Sequence, residues 1–360
     1  MGLRVPYPFM MARGAAVAAA GIGTVVLAAA LLLVFAARTD ACTLAYVANF
    51  GDDTITVIDT ATSTVLGLPI AVGRSPAHIA ITPDGARAYV TNQNGGSISA
   101  IDTAVQSVVA TIHFDPDLAV SPGSIAITPS GRRAYVTDVS DNNTVWVIDT
   151  VTNAVAHRIQ VSAPMAIAVA PNGARGYLVS REPDRISVFD TATSELLGTP
   201  TLIGADQFRA SVSDVALTPD GTRAYVTGDG TVSIMDTRTN AVVGSVAVGG
   251  QPLAVALTPN GAHAYVTNLN DGSLSSPGRV SLIDTRTNTL QEEIPVGHAP
   301  AGVAITPDGA DAYVSNLNDG TVSIIDIRRA AVRTTLSVGA RPLGIAMAPG
   351  RHCAFRRLGK

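Results

Sequence analysis

A unit of about 45 residues recurs seven times along this chain and limits its fold to a repeat architecture. Each copy carries Ala-Tyr-Val or a close variant, then a β-branched run that ends in Asp, then a turn like Thr-Pro-Asp-Gly. The repeated residues are Tyr46, Tyr89, Tyr135, Tyr177, Tyr225, Tyr265 and Tyr313; Asp59, Asp102, Asp149, Asp190, Asp236, Asp284 and Asp326; and Pro83, Pro129, Pro171, Pro219, Pro259, Pro307 and Pro349. Only Tyr7, of the eight tyrosines, stands outside this pattern.

Each unit contains four short runs rich in Val, Ile and Thr, separated by Gly, Asn, Asp and Pro. In the last full copy these runs are 302–306, 312–316, 321–326 and 332–338. This composition is typical of strands and turns, and a helical period is absent. Four strands in a unit of this length are typical of a propeller blade. The sequence therefore predicts an all-β, seven-bladed β-propeller of four-stranded antiparallel blades over residues 42–350.

The ends of the repeat region predict how the ring closes. The region begins at Leu44 with a second strand and ends at 343–348 with an innermost strand, so N- and C-terminal strands should share one blade. This arrangement would bring Cys42 and Cys353 toward the same blade, and we predict a disulfide between them. Two independent cysteines, or a lipidated Cys42, are the alternatives. Residues 351–360 are predicted to form a C-terminal tail.

The N-terminal segment 1–41 predicts export. Residues 14–37 form an apolar run that follows Arg4 and Arg13 and precedes Arg38. A run of this length fits an uncleaved helical signal anchor, which holds the protein in the membrane and places the propeller outside the cytoplasm. A cleaved signal peptide, which would release a secreted or periplasmic protein, and a lipidated Cys42 remain alternatives.

The repeat resembles the YVTN family of β-propeller proteins, which are related to surface-layer repeats and YncE-like propellers. The residues that carry this resemblance are Tyr-Val-Thr-Asn at 89–92 and 265–268, Ile-Asp-Thr at 58–60, 101–103, 148–150 and 283–285, and Thr-Pro-Asp-Gly at 82–85, 218–221 and 306–309. The resemblance covers residues 43 to about 350. It implies a propeller scaffold and leaves the activity open, because members of the family serve diverse roles.

Spacing between the repeated residues predicts which face of the disc binds ligands. The distances from Pro to the next Tyr and from Asp to the next strand are constant, whereas Tyr to Asp varies from 11 residues (225 to 236) to 19 (265 to 284). Because strands alternate in direction, the variable connections share one face, which is the candidate binding face. Candidate binding residues on it are Asp115, Asp117, Arg181, Asp184, Asp206, Arg209, Asn270 and Arg279. At the mouth of the channel, His78 and Asp214 are the only ionisable residues among seven equivalent positions.

Several residues are given structural roles at this stage. The repeated Asp should accept backbone N–H bonds, and the repeated Tyr should bury its ring. Asn49, Asn92, Asn268 and Asn316 are interpreted as hairpin-turn formers rather than calcium ligands. Trp146 is expected to lie between blades. Arg87, Arg133, Arg175 and Arg223 line four successive blades, and local pairing with Asp84 and Asp220 is expected.

The function expected from the sequence is a non-catalytic, extracytoplasmic propeller that presents its loop-rich face to a protein or a cell-envelope glycan. It is expected to be a monomer, with no catalytic residues, metal or cofactor. The net charge of −4 argues against nucleic acid as a partner. The alternative is a lactonase-like hydrolase or lyase with its site at the channel mouth. A quinone-dependent propeller is disfavoured because the chain has one Trp.

Overall fold

The computed structural model describes residues 43–140, 142–181, 183–203, 212–269 and 277–349. Contacts divide the chain into units Met1–Thr39 and Asp40–Lys360, and every described residue belongs to the second unit. Within the described ranges, no helix has the length and apolar character that a membrane crossing needs. The predicted helix over 14–37 and the tail over 351–360 lie outside these ranges.

The described residues form seven antiparallel sheets of four strands each, as predicted. We number the sheets as blades 1 to 7 and name the strands of each blade a, b, c and d, from the centre outward. Blade 1 contains β28 (Pro342–Ala348), β1 (Leu44–Asn49), β2 (Thr54–Asp59) and β3 (Thr64–Ala71). Blade 2 contains β4 (Pro76–Ile81), β5 (Arg87–Asn92), β6 (Ser97–Asp102) and β7 (Ser107–His113), with a 3₁₀ turn at Gln93–Gly95. Blade 3 contains β8 (Pro122–Ile127), β9 (Arg133–Asp138), β10 (Thr144–Asp149) and β11 (Ala154–Gln160).

The other four blades follow the same order. Blade 4 contains β12 (Pro164–Val169), β13 (Arg175–Ser180), β14 (Arg185–Asp190) and β15 (Leu196–Leu202). Blade 5 contains β16 (Asp214–Leu217), β17 (Arg223–Gly228), β18 (Thr231–Asp236) and β19 (Ala241–Ala247). Blade 6 contains β20 (Gln251–Leu257), β21 (His263–Leu269), β22 (Pro277–Asp284) and β23 (Thr289–His298). Blade 7 contains β24 (Pro300–Ile305), β25 (Asp311–Asn316), β26 (Thr321–Asp326) and β27 (Ala331–Ser337).

The blades close into a ring around a central channel. Each a strand contacts the a strands of the two neighbouring blades, in the order β28, β4, β8, β12, β16, β20, β24 and back to β28. The hydrophobic core lies between blades because strands b and c are buried on both faces. One cluster, for example, joins Tyr89 and Ile98 of blade 2 to Val136, Trp146 and Ile148 of blade 3. The predicted place of Trp146 between blades is therefore confirmed.

Blade 1 is the shared blade that the sequence predicted. Strand β28 pairs with β1 in an antiparallel register that sets Leu44 opposite Ala348 and Tyr46 opposite Ala346. The contact continues beyond the strands, where Gly51 N donates to Ala340 O at 3.0 Å. This pairing covers the edge of β1 that an unclosed ring would expose. Cys42 and Cys353 lie outside the described residues, so their disulfide stays a prediction.

Loop lengths confirm the two unequal faces. The a–b loop has five residues in each of blades 2 to 7, as in 82–86, and the c–d turn has four except in blade 4, where 191–195 has five. The number of residues between the described strands b and c ranges from two in blade 5 (229–230) to seven in blade 6 (270–276). The number between a strand d and the next strand a ranges from one (299) to eleven (203–213). We call the first face the constant face and the second the variable face.

The repeated Asp at the end of strand c builds the c–d turn, as predicted. In blade 6, Asp284 Oδ1 accepts the backbone N–H groups of Arg286 and Thr287, both at 2.8 Å. In five blades the pKa of this aspartate lies below its ordinary value of 3.8. The main cause is the hydrogen bond that its carboxylate accepts from the backbone N–H of the residue three positions later. The five aspartates are Asp149, Asp190, Asp236, Asp284 and Asp326.

These turns predict a loss of stability in acid. A carboxylate whose pKa is lower in the folded state stabilises the protein above its unfolded pKa, and this contribution disappears as pH falls through the folded pKa. The contribution of these turns to the free energy of unfolding, measured in urea, should therefore be steady above about pH 5 and fall progressively below about pH 4. Asn at these five positions keeps the turn acceptor but does not titrate. The five-Asn variant should show a flatter profile, and an equally steep one would contradict this account.

Candidate functional site

The channel holds the two ionisable residues that the sequence singled out. A cavity of about 240 Å³ lies in the channel and is lined by His78 on β4 and Asp214 on β16. Ala254, Gly302 and Gly344, from three of the other equivalent positions, also line it. His78 and Asp214 belong to blades 2 and 5, so they enter the cavity from strands three blades apart in the ring. The remainder of the lining is small or aliphatic, except for Ser213.

Asp214 ties blade 5 to blade 6. Its Oδ1 accepts the N–H of Val215 at 2.8 Å, and its Oδ2 accepts the N–H of Val255 on β20 at 3.0 Å. Burial raises the pKa of Asp214 to about 6, although these two hydrogen bonds oppose that rise. Ser124 makes the equivalent contact between blades 3 and 4, where Ile167 N donates to its Oγ at 3.4 Å. The hydrogen bonds therefore give Asp214 a structural role at this position.

His78 is a neutral imidazole on the channel wall. Its backbone N–H donates to Thr91 Oγ1 at 3.0 Å. The side chain is exposed to the channel, but the surrounding protein displaces bulk solvent, and this desolvation lowers the pKa of His78 to about 4. At neutral pH the side chain can thus donate one hydrogen bond and accept another without carrying a charge.

Hydroxyl groups on strand b join neighbouring blades beside the channel, a role that the sequence reading did not assign. The hydroxyl groups of Thr227, Thr267 and Ser315 donate to backbone carbonyls of the next a strand at 2.9, 2.8 and 2.6 Å, respectively. Thr137 makes the same contact at 3.2 Å. Ala48 and Val179 stand at this position in blades 1 and 4, where the hydroxyl is missing. The signal was present in the sequence as a Thr or Ser that recurs two residues after the repeated Tyr.

The constant face is held together by contacts that repeat from blade to blade. The repeated tyrosines are buried, as predicted, and Tyr89, Tyr135 and Tyr225 donate their hydroxyls to the c–d turn of the next blade. The arginines differ from expectation. Arg133 and Arg223 donate to Thr191 O and Thr285 O of the next blade at 2.6 and 2.9 Å. The predicted local pairing with Asp220 is wrong for Arg223, because its side chain reaches across the blade junction, as that of Arg133 also does.

The asparagines at the end of strand b are not turn formers, which corrects the sequence interpretation. Asn49, Asn92, Asn268 and Asn316 are fully buried within strands, and none has a positive φ. Their side chains hold neighbouring chain segments. Asn92 Nδ2, for example, donates to Ser99 Oγ at 2.9 Å, and Asn49 Oδ1 accepts Gly339 N at 3.2 Å. They are therefore structural, and among the described residues no group of three His, Cys, Asp or Glu could hold a metal.

Blade 3 departs from this pattern in two residues at once. Asp138 stands where four of the other blades have Asn and blades 4 and 5 have Ser180 and Gly228, and Trp146 stands where the other six have Ser or Thr. The indole N–H of Trp146 donates to Asp138 Oδ2 at 3.3 Å. Because an indole N–H can only donate, its partner must be an acceptor, and the carboxylate of Asp138 supplies one. Phe114 contacts the indole, with ring centroids 5.2 Å apart.

The other predicted binding residues within the described ranges lie on different blades. Asp115 and Asp117 are exposed on the connection between blades 2 and 3. Arg181 Nε donates to Val212 O at 3.3 Å, and the backbone carbonyl of Asp184 accepts Ile203 N at 3.0 Å. Arg279 pairs with Glu293 at 2.7 Å. Asp206, Arg209 and Asn270 lie outside the described residues.

Comparison with known proteins supports the fold. No protein-family model matches the chain. The seven-bladed β-propeller protein Rv1057 of Mycobacterium tuberculosis is 38% identical over 118 residues, a match that covers 31% of this chain and 28% of that protein. The chain thus spans less than a third of the relative's length.

Solved structures match over more of the chain. A functionally unknown protein from Desulfotomaculum acetoxidans is 18% identical with a TM-score of 0.71, covering 86% of this chain and 99% of that one. Kuenenia stuttgartiensis hydrazine synthase is 21% identical with a TM-score of 0.65, covering 75% and 88%. The Cps50 (Swd1) propeller domain of Myceliophteria thermophila is 12% identical with a TM-score of 0.59, covering 73% and 86%. At these identities the likeness establishes the propeller fold alone, and the proteins that share it differ in function.

Proposed function

We propose that this chain is a non-catalytic binding scaffold that works outside the cytoplasm and presents its variable face to a protein or a cell-envelope glycan. The repeat resembles that of the YVTN family in sequence pattern. The proposal rests on the contrast between the two faces of the disc, which the loops and their hydrogen bonds define.

The contrast between the faces carries the proposal. On the constant face, the same Asp turn recurs in all seven blades, and the same cross-blade Tyr contact recurs in several, so this face is explained by the needs of the fold. On the variable face the loops differ in length from blade to blade and carry different charged residues. Loops that vary on a rigid scaffold are where binding residues usually lie.

The channel residues fit this proposal better than the hydrolase alternative. A hydrolase would need a free carboxylate in the channel. Both carboxylate oxygens of Asp214 instead accept backbone N–H groups, in hydrogen bonds that hold blades 5 and 6 together. His78 lies in the same cavity, and that proximity is the observation that favours the alternative. A lactone-hydrolysis screen tests it: activity that disappears in His78→Ala would support the hydrolase and contradict the binding scaffold.

Loop replacement tests the binding role. Equal-length Gly-Ser replacement of residues 206–209 and 270–276 should reduce the amount of partner that the protein captures from native cell envelope by more than about tenfold. These residues lie in the longest separations between consecutive strands on the variable face. The melting temperature should shift by less than about 2 °C. Matched controls are Arg238→Ala and Glu195→Gln, which change exposed charges on the constant face. Undiminished capture by the loop variant would contradict the proposal.

The location outside the cytoplasm is supported by the apolar run 14–37 and its flanking arginines. Protease added to intact spheroplasts should degrade the propeller while a cytoplasmic marker protein survives. Protection of the propeller under the same conditions would contradict this location.

A further inference from the structure

An open groove of about 430 Å³ lies between blades 2 and 3, where β7 and β11 contact each other. Phe114 and Trp146 form its floor. His113, Asp115, His157 and Arg158 line it and are exposed. Its volume falls within the range of pockets that bind small molecules.

The floor is held in a fixed position. Trp146 is 3% exposed, its indole N–H is bonded to the buried Asp138, and its ring contacts Phe114. Both Asp138 and Trp146 depart from the repeat, so the fold itself does not require them at these positions. Asp138 and Trp146 form a hydrogen bond at the place where Asn92 and Ser99 form one in blade 2. This paired change indicates that the junction of blades 2 and 3 has a specific role.

The repeats provide an internal comparison for the rim. His157 lies opposite Val147 on strand c, and the equivalent residues in blades 2, 5, 6 and 7 are Ala110, Gly244, Glu292 and Thr334. Arg158 lies opposite Trp146, and its equivalents are Thr111, Ser245, Glu293 and Thr335. None of these is basic. Within the described part of the chain, the side chains of His157 and Arg158 have no hydrogen-bond or ion-pair partner, so their donors face solvent.

The chemistry of this rim selects a ligand that carries one carboxylate and several hydroxyl groups. The guanidinium of Arg158, which shares the sheet face of Trp146, supplies N–H donors, and its planar shape matches a carboxylate in a two-point contact. Asp115 supplies an acceptor for a hydroxyl group and disfavours a doubly charged anion such as phosphate. An apolar floor with donors on one side and an acceptor on the other suits a sugar ring.

We propose that this groove binds the uronic acid unit of an acidic glycan, with Arg158 as the main contact to the sugar carboxylate. The inference rests on the proposed binding function and names the class of ligand for one part of the variable face. A peptide is less suitable, because the register of β11 shifts between Val147 and Ile148 and this bulge disturbs the edge at which a strand would add.

The single Trp of the chain makes the test direct. Glucuronic acid is titrated into the purified full-length protein while Trp146 fluorescence and binding heat are measured, with glucose, acetate, inorganic phosphate and a short poly-glutamate peptide as parallel probes. Glucuronic acid should bind saturably and more tightly than any other probe. Arg158→Ala should weaken binding by about tenfold or more, since it removes a charged hydrogen-bonding partner. His157→Gln should weaken it less, and Arg238→Ala is the matched control.

The other outcomes overturn the proposal. Absence of both a fluorescence change and binding heat at about 10 mM glucuronic acid, far above the dissociation constants of most specific sites, would do so. So would binding that Arg158→Ala leaves unchanged, or equal binding of glucose. Tighter binding of phosphate, acetate or the peptide would assign the groove to another ligand. If the groove fails while the loop replacements still abolish envelope capture, the proposed function stands without this ligand.

Discussion

Gly176→Ala should lower the free energy of unfolding by about 3 kcal/mol, the upper part of the range for overpacking a core. A Cβ at Gly176 would lie 1.9 Å from Cζ of Phe189, which sits directly opposite on β14. Phe189 is fully buried, and its ring contacts Tyr135 of blade 3 at a centroid distance of 4.8 Å. The ring therefore has no room to move away, and either the backbone or the blade junction must shift. Urea denaturation measures the loss.

A second substitution should restore stability. The other blades have alanine opposite an isoleucine or methionine at this place, as in Ala88 opposite Ile101 and Ala224 opposite Met235. Phe189→Ile alone should cost about 2 kcal/mol because it leaves a cavity, whereas Gly176→Ala with Phe189→Ile should be more stable than Gly176→Ala alone. Gly244→Ala is the matched control, since a Cβ there meets nothing within 4 Å. A near-neutral Gly176→Ala, or a double variant no better than the single one, would refute the steric account.

Removal of residues 340–360 should abolish the stable fold, a loss of more than about 5 kcal/mol, because marginal domains have only 5–15 kcal/mol in total. This truncation deletes β28, which pairs with β1 and contacts β4 and β24. The inner side of blade 1 would then expose unpaired backbone and buried side chains such as Tyr46 and Val47. Circular dichroism and cooperative thermal unfolding report the result.

A shorter truncation provides the control. Removal of 350–360 keeps β28 and should leave a cooperatively folded protein. A peptide of residues 340–349, added to the longer truncation, should recover part of the structure if β28 acts by pairing. The shorter truncation also lacks Cys353, so a reductant should destabilise the full chain but not this variant if the predicted disulfide forms. A folded protein without β28 would contradict the closure as the source of stability.

The number of blades and the closure followed from the sequence because both depend on local, repeated signals. Tyr, Asp and Pro recur once per unit, and the strand order at Leu44 and Ala348 determines which blade is shared. The roles of Asp214, Asn49 and Arg133 did not follow, because each side chain bonds to a segment of a neighbouring repeat or loop. A repeat pattern shows that such a residue recurs, but the direction of its side chain across the junction depends on how the blades pack.

Departures from the repeat were readable in part. Gly176 with Phe189, and Asp138 with Trp146, each changed together, and each pair is in contact. The first pair conserves volume and the second conserves a hydrogen bond. From one sequence, however, a paired departure does not reveal whether it serves packing or a ligand. The groove beside Trp146 could be seen only once β7 and β11 were placed next to each other.

The strand that closes the ring, β28, follows the other twenty-seven strands of the described residues in the order of synthesis. While the chain emerges from the ribosome, β1 therefore has no inner neighbour, and the circle remains an open arc. Folding to the final state is in this way delayed until translation has passed Ala348. In the export that we propose, a transport step that requires an unfolded polypeptide would have that whole interval in which to act before the molecule becomes rigid.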